Sequence, residues 1–129
     1  MKPISVLLAE NNETFRRTVA AFLEHASRQE VQVVGTASTG EEALAQAACL
    51  RPDVVVIDLR MPGLPAFETI HRLRDVLPEA GIIALTFLDG DSYRQASLDA
   101  GAHDLVGKTR IHSDLLPTIR GLARPRPVA

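Results

Sequence analysis

Val54-Val55-Val56-Ile57-Asp58-Leu59-Arg60-Met61-Pro62-Gly63 sets four β-branched residues in a row, then a carboxylate, then a turn. β-branched side chains favour strands, and an apolar run without polar alternation belongs to a strand buried on both faces. The run therefore reads as the central strand of a mostly parallel sheet, with Asp58 at its carboxyl end. After the turn, Pro65 reads as a first helical residue, where its missing N–H would be unpaired in any case.

Outward from that strand, the hydrophobic period keeps switching between short runs and helical spacing. Ile4 to Ala9 is a short apolar run, followed by Phe15, Val19, Phe22, Leu23 and Ala26 on one helical face. Val31 to Ala37 reads as a strand, and Gly40 to Leu50 as an Ala-rich helix with Ala43, Leu44 and Ala47 on one side. Arg51-Pro52 ends it, because proline disfavours the helical conformation in the residue before it. Past the central strand, the helix from Pro65 runs to about Leu77 with Phe67, Ile70, Leu73 and Leu77 as its buried stripe, and Pro78 stops it. Gly81 to Thr86 is the fourth strand. Asp89 to Ala100 is a helix with Asp89 or Asp91 as N-cap and Gly101 just past its end. Leu105 to Gly107 is a short fifth strand, and a last helix carries Leu115, Leu116, Ile119 and Leu122. Five strands alternating with five helices predict an α/β fold, a doubly wound (βα)5 five-stranded parallel sheet with right-handed crossovers.

The 129 residues match one domain, over residues 1–123, and the tail from 124 to 129, Arg-Pro-Arg-Pro-Val-Ala, reads as frayed or as the start of a linker. With 46% hydrophobic and 23% charged residues the chain is too apolar to be disordered. Fourteen Lys+Arg against 16 Asp+Glu leave a net charge of -2, which argues against nucleic acid or an anionic membrane as a whole-surface partner. No apolar run reaches the ~18 residues of a membrane span, and no export signal fits before the first strand. The single cysteine, Cys49, excludes an internal disulfide and a cysteine-based zinc site, fits a cytoplasmic protein, and reads as buried packing on its Ala-rich helix. His25, His71, His103 and His112 have no spacing that makes a metal site or a catalytic dyad, and each reads as a surface residue.

In doubly wound folds the working site lies beyond the carboxyl ends of the strands. Those ends carry Glu10-Asn11-Asn12, Asp58, Thr86 and Lys108. Hard oxygen ligands suit Mg²⁺, a hydroxyl and an ammonium suit phosphoryl oxygens, and a carboxylate can accept a phosphoryl group. Phosphoryl transfer to Asp58 is the sharp reading. The bland one makes Asp58 a loop carboxylate, Lys108 a solvated lysine, Thr86 a β-former, and Asn11 and Asn12 caps of the first helix.

The segment from Asp58 to Gly63 after a β-branched strand, together with Thr86, Ala100-Gly101-Ala102, Lys108, Gly40-Glu41-Glu42-Ala43-Leu44 and Arg51-Pro52-Asp53, resembles the receiver domain of two-component response regulators. The likeness is CheY-like (flavodoxin-like) in fold, has a NarL/FixJ flavour, and covers Ile4 to about Leu122. It implies that Asp58 accepts a phosphoryl group from a histidine kinase or phosphotransfer protein and that Thr86 and Lys108 bind the phosphoryl oxygens. It also implies Mg²⁺ held by the Asp58 carboxylate, the Arg60 backbone carbonyl and the acidic pair after strand one, here Glu10 and Asn11. The implied output is a protein-interaction face switched through the fourth helix, the fifth strand and the fifth helix, with a homodimer among the partners.

Four positions depart from the family pattern. Asn11 stands where a second aspartate is usual, which removes an anionic ligand and weakens Mg²⁺ binding. Phe87 replaces a small residue after Thr86 and narrows access to Asp58. Leu105 replaces the switch aromatic of strand five. Thr109 replaces a proline after the lysine, leaving a trans peptide or a cis one costing ~3 to 4 kcal/mol.

The alternatives are a pseudo-receiver, which would keep the fold as a phosphorylation-independent interaction module, and an enzyme of the same architecture. A flavin carrier would want a Gly/Ser/Thr-rich phosphate cradle and stacking aromatics, whereas the chain has one Tyr and no Trp. A phosphohydrolase would want a second Asp where Arg60 stands. The expected role is thus a phosphoacceptor rather than an enzyme. No helix-turn-helix follows Leu122, so this domain is not expected to bind nucleic acid itself; it is read as a stand-alone receiver or as the first part of a DNA-binding transcription regulator.

Overall fold

The computed structural model describes residues 2–26, 29–87 and 91–123. Five parallel strands form one sheet: β1 (Ile4–Ala9), β2 (Val31–Ala37), β3 (Val54–Asp58), β4 (Gly81–Thr86) and β5 (Asp104–Gly107), in the order β2-β1-β3-β4-β5. The helices are α1 (Glu13–Ala26), α2 (Gly40–Leu50), α3 (Ala66–Val76), α4 (Asp91–Ala100) and α5 (Leu116–Leu122).

β3 is the middle strand, and Val54 to Ile57 are fully buried. Successive side chains point to opposite faces of a strand. Accordingly Val54 and Val56 join a cluster with Val19 and Leu23 of α1 and Leu116 and Ile119 of α5, whereas Val55 and Ile57 join one with Ala43 and Ala47 of α2 and Ile70 and Leu73 of α3. Two cores, one on each face, explain why the run has no polar alternation. By the same alternation Asp58 turns toward the α1 side of the sheet.

The elements differ from the sequence reading in detail, each time for a local reason. Pro65 precedes α3 instead of opening it: its φ of -53° suits a helix but its ψ of 143° is extended, so the helix begins at Ala66. Phe67 is exposed, and the buried face of α3 is Ala66, Thr69, Ile70 and Leu73, because Phe67 lies about 100° round the helix from Ala66. Thr69 is tolerated there because its hydroxyl donates to the Pro65 carbonyl at 3.0 Å. Cys49 is exposed, since α2 buries Gly40, Ala43 and Ala47 and residue 49 falls on the opposite side. Ala26, at the end of the α1 stripe, is also exposed.

β5 starts one residue early, at Asp104, which pairs with Ile83. After β5 comes a 3₁₀ turn over Lys108–Arg110 and a π-type turn over Ile111–Leu115, so Leu115 lies before α5 rather than in it. Pro117 has no N–H to offer the carbonyl four residues back, which is where the wider turn replaces α spacing. His103 is half-buried rather than on the surface: its Nδ1 accepts the Ile82 N–H at 3.0 Å, while its own backbone N–H donates to the Ile82 carbonyl at 2.8 Å. His25, His71 and His112 are exposed. The expected cap Asp89, the side chain of Asp91 and the tail from residue 124 lie outside the described residues. No described helix is long and apolar enough to cross a membrane.

Candidate functional site at the strand ends

β1 and β3 are neighbours, and the chain leaves β1 toward the opposite edge of the sheet, where β2 lies. A doubly wound sheet opens a crevice at such a reversal. Glu10 follows β1 and Asp58 ends β3, so the two carboxylates flank the crevice, and Lys108 arrives from the end of β5. Its ammonium lies 2.8 Å from Glu10 Oε1 and 3.2 Å from Asp58 Oδ2. All three side chains are buried, at 6% exposure or less. Thr86, also buried, ends β4 one residue beyond the partner of Asp58 and pairs with Gly107 beside Lys108.

The backbone fixes both carboxylates. The Arg60 N–H donates to Asp58 Oδ1 at 3.0 Å, and the Asn12 N–H donates to Glu10 Oε2 at 3.0 Å. Arg16 Nη1 donates to the Glu10 carbonyl at 3.0 Å. Of the pair after β1, Glu10 turns inward and Asn11 is exposed. Asn12 caps α1, its Oδ1 accepting the Phe15 N–H at 2.8 Å. Burial pushes the Glu10 carboxyl above its ordinary value; the Lys108 ammonium and the Asn12 amide pull it down, and the Asp58 carboxylate pushes it up again.

Glu10 Oε1 is buried with no well-aligned hydrogen-bond donor, although the Lys108 ammonium is near it. A buried oxygen left in that condition is a place for a further partner. Together with Asp58 and the Arg60 carbonyl it makes a hard-oxygen set that fits Mg²⁺. No group of three or more His, Cys, Asp or Glu suited to a metal occurs among the described residues, so the anionic part of the set is two carboxylates.

Two rings lie against the ammonium. Lys108 Nζ is 4.9 Å from the ring centroid of Phe15 and 4.9 Å from that of Phe87, and the rings are 6.3 Å apart. Phe15 belongs to the first turn of α1 and is half-buried, whereas Phe87 is 56% exposed. The helical stripe placed Phe15 in the core; the signal that it also borders the site is its place in the first turn after a strand end. Glu41, part of the Gly40-Glu41-Glu42-Ala43-Leu44 segment, has a role that the sequence does not assign. Its Oε1 accepts the Leu64 N–H at 2.9 Å and packs against Gly63, whose φ of +86° favours glycine. With the Gly40 N–H directed to the Pro62 carbonyl at 3.4 Å, this ties the loop after Asp58 to the start of α2. Leu105 is half-buried in register with Ala84, and the peptide between Lys108 and Thr109 is trans.

A family model for the response regulator receiver domain matches residues 6–120. The protein-glutamate methylesterase/protein-glutamine glutaminase of Geobacillus kaustophilus is 38% identical over 109 residues, 84% of this chain and 31% of that protein. The response regulator protein VraR of Staphylococcus aureus is 29% identical over 121 residues, 94% of this chain and 57% of that protein. The chain thus spans between 31% and 57% of the length of these curated relatives. Among solved structures, a LuxR-family two-component response regulator from Aurantimonas superposes with a TM-score of 0.87 at 25% identity, covering 94% of this chain and 85% of that one.

Proposed function

The chain belongs to the response regulator receiver domain family, and on that premise we propose that Asp58 is its phosphoacceptor, with Lys108 and Thr86 as the groups that bind the phosphoryl oxygens. The observation that carries this reading is the buried Lys108 ammonium 3.2 Å from Asp58 Oδ2 at the crevice of the sheet. Receiver domains take their phosphoryl group from histidine kinases or phosphotransfer proteins and generally bind Mg²⁺ for the reaction.

In the proposed reaction an Asp58 carboxylate oxygen bonds to the phosphorus of a phosphohistidine as the phosphorus–nitrogen bond breaks. The departing imidazole nitrogen keeps the electron pair and takes up a proton. Asp58 passes from one negative charge to about two. At an effective dielectric near 20, each unit charge at this separation attracts the ammonium by about 5 kcal/mol. The doubled charge therefore draws Lys108 from Glu10 toward the phosphoryl group, while the Thr86 hydroxyl donates to another phosphoryl oxygen. Glu10, Asp58 and the Arg60 carbonyl are the residues that would hold Mg²⁺. When bound there, it supplies positive charge to the phosphoryl oxygens. Losing the second aspartate at Asn11 leaves this chain dependent on Glu10 for its non-acceptor carboxylate.

The likeness to a LuxR-family regulator supports transcription regulation through a separate output as the wider role. Incubation with acetyl phosphate or beryllofluoride plus millimolar Mg²⁺ tests the core of the reading. The expected result is one phosphoryl-sized mass increase, or bound beryllofluoride, in the wild type and none in Asp58→Asn. No adduct in the wild type overturns it in favour of a pseudo-receiver.

A further inference from the structure

Lys108 is held by four segments of the chain: Glu10 after β1, Phe15 in α1, Asp58 at the end of β3 and Phe87 after β4. The two carboxylates neutralise the ammonium, but they do not explain why its side chain is only 6% exposed. The rings supply the remaining wall. A phenyl face attracts a cation and also shields it from water. The two rings stand in unequal positions. Phe15 is the anchored one: its ring packs against the α1–α5 core, and its backbone is held by the Asn12 cap. Phe87 is 56% exposed and follows the last residue of β4.

We propose that Phe15 and Phe87 form a two-ring cover over Lys108, a fixed wall and a movable leaf, which slows the approach of water and small phosphodonors to the Asp58–Lys108 pair and yields to a protein donor that displaces Phe87. Both are positioning residues: they act on the reaction through the lysine and the space around it. The inference rests on the phosphoacceptor reading and assigns that site its donor preference. A donor carrying phosphohistidine on a protein surface can press on the exposed face of Phe87, whereas acetyl phosphate or phosphoramidate has no surface with which to do so. The same cover slows loss of the phosphoryl group. In that step a water oxygen bonds to phosphorus as the bond to the Asp58 oxygen breaks, the electron pair returning to the carboxylate and a proton leaving to solvent.

The test compares wild type with Phe87→Ala, Phe15→Ala, Phe87→Leu and Phe15→Leu. Three quantities are followed by intact and peptide mass: phosphorylation rate with acetyl phosphate, half-life of the phosphorylated protein, and acetylation of the Lys108 amine by a water-soluble reagent. Phe87→Ala should react with acetyl phosphate roughly tenfold faster, lose its phosphoryl group several times sooner and expose Lys108 to acetylation, with Phe15→Ala changing all three in the same direction but less. The leucine variants, which keep an apolar wall, should stay within about twofold of wild type. Alanine variants with wild-type rates and wild-type Lys108 reactivity would overturn the cover while leaving the phosphoacceptor reading intact. If no variant takes up phosphoryl at all, the phosphoacceptor reading falls, and Lys108 acetylation still decides whether the rings cover the amine.

Discussion

Two glutamates hold the loops around Asp58, and they do so in opposite surroundings. Glu41 is exposed and accepts the Leu64 N–H; Glu10 is buried, accepts the Asn12 N–H and faces the Lys108 ammonium. Hydrogen bonds from backbone amides draw the Glu41 carboxyl below its ordinary value, whereas burial drives that of Glu10 upward. The contrast shows that one residue type can fasten a loop at little electrostatic cost in water, or build a reactive charge cluster where the cost is large and a cation must offset it. The first arrangement orients the chain after Asp58, and the second prepares the chemistry.

The sharpest way to break this contrast is to remove the cation. Lys108→Met leaves two buried carboxylates facing each other, and breaking a buried ion pair from one side costs about 3–5 kcal/mol. Urea unfolding should show that loss at neutral pH, and Glu10→Gln in the Lys108→Met background should recover part of it. A smaller effect is expected from Glu10→Gln alone, because the amide keeps the volume and relieves an unfavourable burial. Stability should change by about 1 kcal/mol or less, whereas Mg²⁺ affinity should fall about tenfold, measured by calorimetric titration. A fall in stability as large as that of Lys108→Met would erase the distinction between the two glutamates.

The smallest effect belongs to Glu41→Gln. Because the folded protein holds this carboxyl below its ordinary value of 4.5, its stabilising contribution is present above that pH and is lost as the pH falls through the lowered folded value. The variant should therefore show a slightly flatter acid limb in thermal unfolding followed against pH, with near-neutral stability almost unchanged. An acid limb identical to that of wild type would mean that the Leu64 contact contributes nothing in solution.

Much of the fold was readable because its strongest signal has one physical cause. Val54 to Ile57 are apolar without interruption since each face of β3 meets a core, and once that strand is central the strand-end rule brings Glu10, Asp58, Thr86 and Lys108 to one side of the molecule. Helix faces were readable only to within about one position. Phe67 looked like core because it is large and apolar, yet Thr69 occupies the buried face by satisfying its hydroxyl on its own helix. Cys49 was misplaced for the same reason, its chemistry suggesting burial while its angular position put it in water. Which of Glu10 and Asn11 turns inward depends on a contact with a lysine almost a hundred residues away, and local pattern carries no trace of it. Phe15 had a visible face but an invisible neighbour: helical spacing reports which side is buried, not that the ring at its first turn meets Phe87 across the site.

The strand order also bears on how the chain folds. From β1 the sheet runs through β3 and β4 to β5 in chain order, with β2 on the other side, so the lysine that balances Glu10 and Asp58 follows an edge strand, which we expect to dock last. The central pair β1 and β3 is then the natural nucleus, and truncations such as Leu8→Ala or Val56→Ala should chiefly slow refolding. Val106→Ala in β5 should chiefly speed unfolding, and stopped-flow kinetics in urea would separate the two arms. On that order the two carboxylates gain the Lys108 ammonium only as β5 docks, so the last step of folding is expected also to complete the reactive pocket.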